Sequence, residues 1–269
     1  MSDLLFKKYL ICSDSQCGHM GGLTPPAWRV SEERNEELIA KGHGDWRTIE
    51  QVAFDFFQEN TQGQYDGLCL LGDLIDGKGY YSGARECLTA DRDEQVDMAE
   101  ACFKHIRAKE IAGCYGTCYH VGASERWESQ VLGKLGGSIR NVIEIHIKDF
   151  DILMRFRHHI GRTSTPTGGD IMLRKMMLNE LMWERDHDIR PADVYGFAHA
   201  HYFRCLKDAT WTVFINPSLQ TWTEFGSTRC SGVIHFGVVE LTIWEDGKID
   251  INPKLMKLNT ITTNKPLEW

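Results

Sequence analysis

The chain has 269 residues, 42% of them apolar and 25% charged, and a formal net charge of −8. This is the composition of an ordinary globular protein able to bury one sizeable core. No apolar run reaches the length of a membrane span, and Met1-Ser2-Asp3-Leu4 lacks the cationic and apolar regions of a signal peptide. The acidic balance argues against general attraction to nucleic acid or an anionic membrane. Nine cysteines, an odd number without zinc-ribbon or scaffold pairing, read as reduced thiols in a cytoplasmic setting.

Lys8 to Ser13 reads as a first strand ending at Asp14, followed by a Gly- and Pro-containing loop through Pro26. Asp45 is placed to cap a helix whose apolar positions Trp46, Ile49, Val52, Ala53, Phe56 and Phe57 recur at helical spacing. The apolar run Leu68–Leu71 then ends on Gly72-Asp73, and Asp76-Gly77 turns the chain away, which completes a βαβ opening. After a loop from Gly77 to Ala90, Asp91 and Asp93 start a second helix burying Val96, Ala99, Cys102, Phe103 and Ile106. Ile111 to Tyr115 is a short strand running into Gly116-Thr117-Cys118-Tyr119-His120, and Ser124 opens a third helix to about Lys134. Ile139–Ile147 and Asp151–Arg157 read as a hairpin ending in His158-His159. A loop from Gly161 to Gly169 precedes a Met-rich helix from Asp170 to about Arg185, whose stripe is read as core. Asp193–Phe197 is a strand ending in Ala198-His199-Ala200-His201, and the remainder is β-patterned. With no repeat or linker in evidence, one layered α/β domain is expected.

The strand ends thus collect Asp14, Asp73, His120, His158 or His159, and the pair His199/His201. Carboxylates and imidazoles converging from different strands form a mixed oxygen and nitrogen ligand set suited to divalent metals. His199 and His201 would face opposite sides of a regular strand but in a loop can serve two ions bridged by one carboxylate.

The order Asp14, Gly72-Asp73-x-x-Asp76-Gly77, Gly116-Thr117…His120, His158-His159, Gly196…His199-x-His201 resembles the calcineurin-like metallophosphoesterases. The likeness spans roughly residues 8–220, and the Gly116-Thr117-x-x-His120 form with Gly22-Leu23-Thr24-Pro25-Pro26 looks most like a bacteriophage-encoded branch. The resemblance implies a four-layer αββα sandwich of two mixed β-sheets flanked by helices, with residues 221–269 completing a single domain over 1–269. It also implies two divalent metal ions; the amide oxygen of Gln16 favours Mn²⁺, with Mg²⁺, Fe, Zn²⁺ or Ni²⁺ as alternatives. Asp14, Asp73 and His201 match ligands of the first ion, and Asp73 is the bridge. His199 and either His158 or His159 match ligands of the second. His120 matches the group that gives a proton to the leaving oxygen or hydrogen-bonds the phosphoryl group. Asp76 is either its catalytic support or a loop hydrogen-bonding residue.

Two positions depart from the family pattern. Gln16 stands where a histidine is usual, so either its amide oxygen ligates weakly or nearby His19 takes the place. Thr117 stands where an asparagine is usual, leaving the second ion one donor short unless Glu125, Glu128 or water substitutes. The activity implied is hydrolysis of a phosphate mono- or diester by in-line attack; a nucleotide or nucleic-acid end as substrate is suggested by a loop of this chain. The loop Lys78 to Arg85, with Tyr80, Tyr81 and Arg85, is a place for base stacking and phosphate contact. The alternative is a degenerate member, with an altered metal site, that works as a binding or scaffold protein.

Overall fold

Alternation along the apolar strands dictates a layered molecule, and the computed structural model has one. It describes residues 4–79, 84, 86–121, 126–160, 168–223 and 234–257. In chain order the elements are β1 (Phe6–Cys12), α1 (Glu32–Ala40), α2 (Trp46–Glu59), β2 (Gln64–Leu70), α3 (Arg92–Phe103), β3 (Arg107–Cys114) and α4 (Cys118–Val121). Then come α5 (Glu128–Lys134), β4 (Ser138–Arg140), β5 (Ile143–Ile147), β6 (Ile152–Phe156), α6 (Gly168–Asp186), β7 (Val194–Phe197), β8 (Arg204–Lys207), β9 (Thr212–Ile215), β10 (Phe236–Trp244) and β11 (Ile249–Met256). A first sheet has the order β11-β10-β1-β2-β3-β4, and a second has β5-β6-β7-β9-β8. Both are mixed: β1, β2, β3 and β4 run parallel, as do β6, β7 and β9, while β10, β11, β5 and β8 pair antiparallel.

The period of two sorts side chains between layers. Leu10, Cys12, Leu68 and Leu70 pack under Phe54, Phe57, Val96, Ala99, Phe103 and Val131 of the helices on one face. Their strand neighbours Tyr9, Ile11, Cys69 and Leu71 meet Met154, Phe156, Val194 and Phe214 of the second sheet. Tyr195, Phe197, Val213 and Ile215 on that sheet's outer face pack under Leu173 and Met177 of α6. The order helices, sheet, sheet, helix is the expected four-layer αββα sandwich. Strands β10 and β11 extend the first sheet beyond β1, so the later β-patterned segments do join it.

Several boundaries follow the capping chemistry read from the sequence. The Asp45 carboxylate accepts from Thr48 N at the start of α2, and that of Asp91 from Asp93 N and Glu94 N at the start of α3. The hairpin expectation holds for β5, which pairs antiparallel with β6 in the second sheet, and is corrected at the start of the segment, where β4 joins β3 in the first. A strand crossing from one sheet to the other cannot keep one register, and Asn141-Val142 is where it changes sheet. The Met-rich helix is core on one side only. Leu173 and Met177 are buried, whereas Ile171, Leu178, Met182 and Trp183 are exposed. Of the third helix, α5 begins at Glu128, and Ser124 lies outside the described residues.

Candidate metal centre

Parallel strands that share a direction end together, and here β1, β2, β3, β6 and β7 all deliver their C-terminal ends to one edge of the sandwich. The ladder continues briefly into the loops, with Asp14 N donating to Gly72 O (2.9 Å) and Gln16 N to Asp73 O (3.0 Å). Tight turns then follow. Asp14 (φ 51°), Gln16 (φ 39°), Asp73 (φ 52°), His199 (φ 69°) and His201 (φ 58°) all hold the left-handed conformation, which costs an L-residue about 1 kcal/mol or more. They are five of the nine non-glycine residues with positive φ among the described residues, so the strain gathers where the motifs are. Gly116 is required by close approach, because a Cβ there would overlap the backbone N and Oδ1 of Asp73. On the other side, Gln95 of α3 accepts from Gly77 N (2.8 Å) and donates to Gly77 O (2.7 Å), fixing the end of the Gly72–Gly77 turn.

Asp73 is the hub. Its Oδ2 lies 3.0 Å from His158 Nε2, 3.9 Å from His199 Nδ1 and 4.0 Å from His120 Nε2. Asp73, His158 and His199 each offer one ligand atom, all within 4.8 Å of one another. His158 Nδ1 donates to Leu71 O at 2.6 Å, which leaves Nε2 as its inward-facing atom. A backbone carbonyl on the far ring nitrogen is the usual way a protein orients a ligating imidazole. Beside this group, His201 Nε2 stands 3.2 Å from Asp14 Oδ1, a buried atom with no well-formed hydrogen bond, and His199 N donates to Asp14 Oδ2 (3.3 Å). A buried carboxylate oxygen without a well-formed hydrogen bond, set among half-buried imidazoles, is a donor suited to a cation. The residues therefore fit a divalent metal centre.

The charges are strongly coupled. Burial alone would raise the Asp73 carboxyl, but His158 and His120 outweigh it and hold it well below the usual carboxylate range. Asp14 is lowered too, His201 overcoming its burial. Burial would depress His158, yet the Asp73 charge and hydrogen bond push it up to about 10. His120 is likewise raised to about 9 against its burial, first by Asp73 and then by Asp76. Its Nδ1 donates to Asp76 O (2.8 Å), with Asp76 Oδ1 at 3.5 Å, so Nε2 is the atom turned toward Asp73.

Of the residues singled out from sequence, Asp14, Asp73, Asp76, His120, His158, His199 and His201 are brought together. Gln16 is buried between them in the chain with its backbone tied to Asp73. His159 is exposed, its ring 5.0 Å from that of His199 and on the outer side of the turn from His158. His19 does not join the Asp73 group: its Nδ1 accepts from Gly21 N (2.9 Å) and its Nε2 lies 3.5 Å from Glu86. Thr117 acts on Asp73 as a donor, through its backbone N (2.6 Å to Oδ1) and its hydroxyl (3.1 and 3.2 Å). Glu128 is expected from sequence only as a substitute ligand, but both of its oxygens are engaged by backbone N–H groups. Cys17 is buried with its Sγ 3.9 Å from Cys102 Sγ, and Cys118 is exposed; no disulfide joins the described cysteines. Tyr80, Tyr81, Arg85 and Glu125 lie outside the described residues.

No model of a known protein family matches the chain, and no curated protein does. Solved structures do resemble it. A novel archaeal phosphodiesterase is 12% identical, with a TM-score of 0.44 over 92% of this chain and 99% of that one. A single-mutant Vps29 from Entamoeba histolytica is 13% identical, with a TM-score of 0.43 over 93% of this chain and 99% of that one. Wild-type Vps29 complexed with zinc, from the same organism, is 12% identical, with a TM-score of 0.39 over 92% and 98%. No helix among the described residues is long and apolar enough to cross a membrane.

Proposed function

We propose that this chain is a divalent-metal-dependent phosphoesterase, a single domain over residues 1–269 that hydrolyses phosphate mono- or diesters. The observation that carries the reading is the Asp73–His158–His199 group, the first two buried and His199 half-buried, with His158 Nε2 turned inward by the bond from Nδ1 to Leu71 O. Asp14 and His201 would hold one ion and His158 and His199 the other, with Asp73 shared and Gln16 a further oxygen donor. The ions, when bound, would supply Lewis-acid stabilisation of the charge that develops on the phosphoryl group.

The chain's own residues supply the rest. Thr117 holds the Asp73 carboxylate through its N–H on Oδ1 and its hydroxyl on both oxygens, while Oδ2 also faces the His158 imidazole. Asp76 fixes the His120 ring through Nδ1, and a proton held on Nε2 is available to the leaving oxygen. General acid assistance of this kind is worth about 10²–10⁴-fold in rate. The preference for Mn²⁺ rests on the harder oxygen donor that Gln16 would offer, and the bacteriophage branch on the motif resemblance alone. The choice of a nucleotide or nucleic-acid end as substrate rests on the aromatic and basic sequence from Lys78 to Arg85, and full activity of Tyr80→Ala/Tyr81→Ala on every nucleotide tested would be a disproof.

The second reading, a binding or scaffold protein with a reduced metal site, is favoured by Thr117. Its hydroxyl donates to Asp73, and a neutral hydroxyl is a poorer metal ligand than the asparagine amide oxygen it replaces. Turnover of aryl phosphate mono- and diesters by the metal-supplemented chain separates the two. The enzyme reading expects turnover that Asp73→Asn abolishes, and the scaffold reading expects none above that variant.

A further inference from the structure

The loops that carry Asp73 and Thr117 follow different strands, β2 and β3. Between them lies Glu128, the first residue of α5, fully buried. Its Oε1 accepts from Leu74 N at 2.8 Å, and its Oε2 from Gly116 N, also at 2.8 Å. Leu74 follows Asp73 directly, and Gly116 directly precedes Thr117, whose own N–H donates to Asp73 Oδ1. One carboxylate thereby closes a ring: Glu128 to Leu74, Asp73, Thr117, Gly116 and back to Glu128. Both oxygens are engaged, so Glu128 has no free atom turned to the imidazoles.

We propose that Glu128 is a positioning residue for the metal centre, clamping the two loops so that Asp73 Oδ2 is held toward His158, His199 and His120. This rests on the metal-centre reading above. A ligand's supporting bonds are typically worth 10–100-fold in metal affinity. The clamp makes a demand that charge alone does not: the side chain must reach both N–H groups with two acceptors. Glu128→Gln keeps the reach but turns an NH₂ donor onto one of the N–H groups. Glu128→Asp keeps the charge but is one methylene too short to span both.

The test is titration of Co²⁺ into the metal-stripped full chain, followed by its visible absorption. Wild type should bind, and both variants should bind about 10–100-fold more weakly, with far-UV circular dichroism unchanged. Hydrogen exchange should rise in the segments around Leu74 and Gly116 and not elsewhere. Wild-type affinity in either variant overturns the clamp, and retention in Glu128→Asp alone assigns the effect to charge and also overturns it. Failure of wild type to bind Co²⁺ overturns the metal-centre reading itself, and the clamp with it. A readout that needs no variant is exchange at the Leu74 and Gly116 amides of the wild-type chain. Both should be protected like strand amides, and exchange at loop rates would overturn the proposal.

Discussion

Metal binding to this chain should expel protons, and the structure sets how many and at what cost. In the metal-free protein His158 stands at about 10, raised by the Asp73 carboxylate 3.0 Å from its Nε2. At pH 7 the imidazolium therefore outweighs the neutral ring by about a thousandfold. Nδ1 is held by Leu71 O, so Nε2 is the atom that must lose its proton to ligate. Three pH units at 1.36 kcal/mol each put that cost at about 4 kcal/mol, or about 10³ in apparent affinity. His120, at about 9, releases a second proton to the extent that a cation neutralises Asp73. Calorimetric titration of Mn²⁺ in buffers of different ionisation enthalpy should report at least one proton released per ion at the Asp73 site. Apparent affinity should rise about tenfold per pH unit between 6 and 8. His159→Asn should keep that slope and His158→Asn should lose it. Buffer-independent heats and an affinity flat with pH would refute the assignment of His158 as a protonated, inward-facing ligand.

Three further perturbations reach other parts of the molecule. His120→Asn should lower kcat about 10²–10⁴-fold while metal content by elemental analysis stays at the wild-type level, because the ring faces Asp73 without belonging to the ligand group. Gly116→Ala should cost about 1–3 kcal/mol in denaturant unfolding and weaken metal binding, since its Cβ meets Asp73 backbone that cannot move aside. Glu50 of α2 is buried, with Oε2 accepting from Val30 N and Oε1 unpaired. Burial raises it from 4.5 to about 7, so the stability it contributes is full below pH 4.5 and lost as pH rises through 7. Glu50→Gln lacks this titration. Its stability relative to wild type should improve by about 2–3 kcal/mol between pH 5 and pH 8 in urea denaturation, and a pH-independent difference would contradict the shift.

The layers were legible because the apolar pattern of a strand is a direct record of its burial. Leu68, Cys69, Leu70 and Leu71 are apolar without a break because β2 is covered on both faces. Helix starts at Asp45 and Asp91 were legible for an equally local reason, the side-chain cap. What escaped was non-local or weakly patterned. Helix α1, Glu32–Ala40, buries only Asn35 and so shows no apolar period, and β8 is a short edge strand of alternating exposure. The choice between His158 and His159 is open from sequence, yet a signal exists. Met154 and Phe156 face the other sheet, and the period of two carries His158 to that same side, toward Leu71 O. Glu128 offers no such signal, since its partners are backbone atoms of two distant loops.

The most direct test of the central claim is the number of metal ions held per chain, measured by elemental mass spectrometry after Mn²⁺ loading and removal of excess ion, for wild type beside Asp73→Asn. Two ions in wild type and loss of bound metal in Asp73→Asn would agree with a shared centre built on that carboxylate. An equal metal content in the two proteins, or none in wild type, would contradict it.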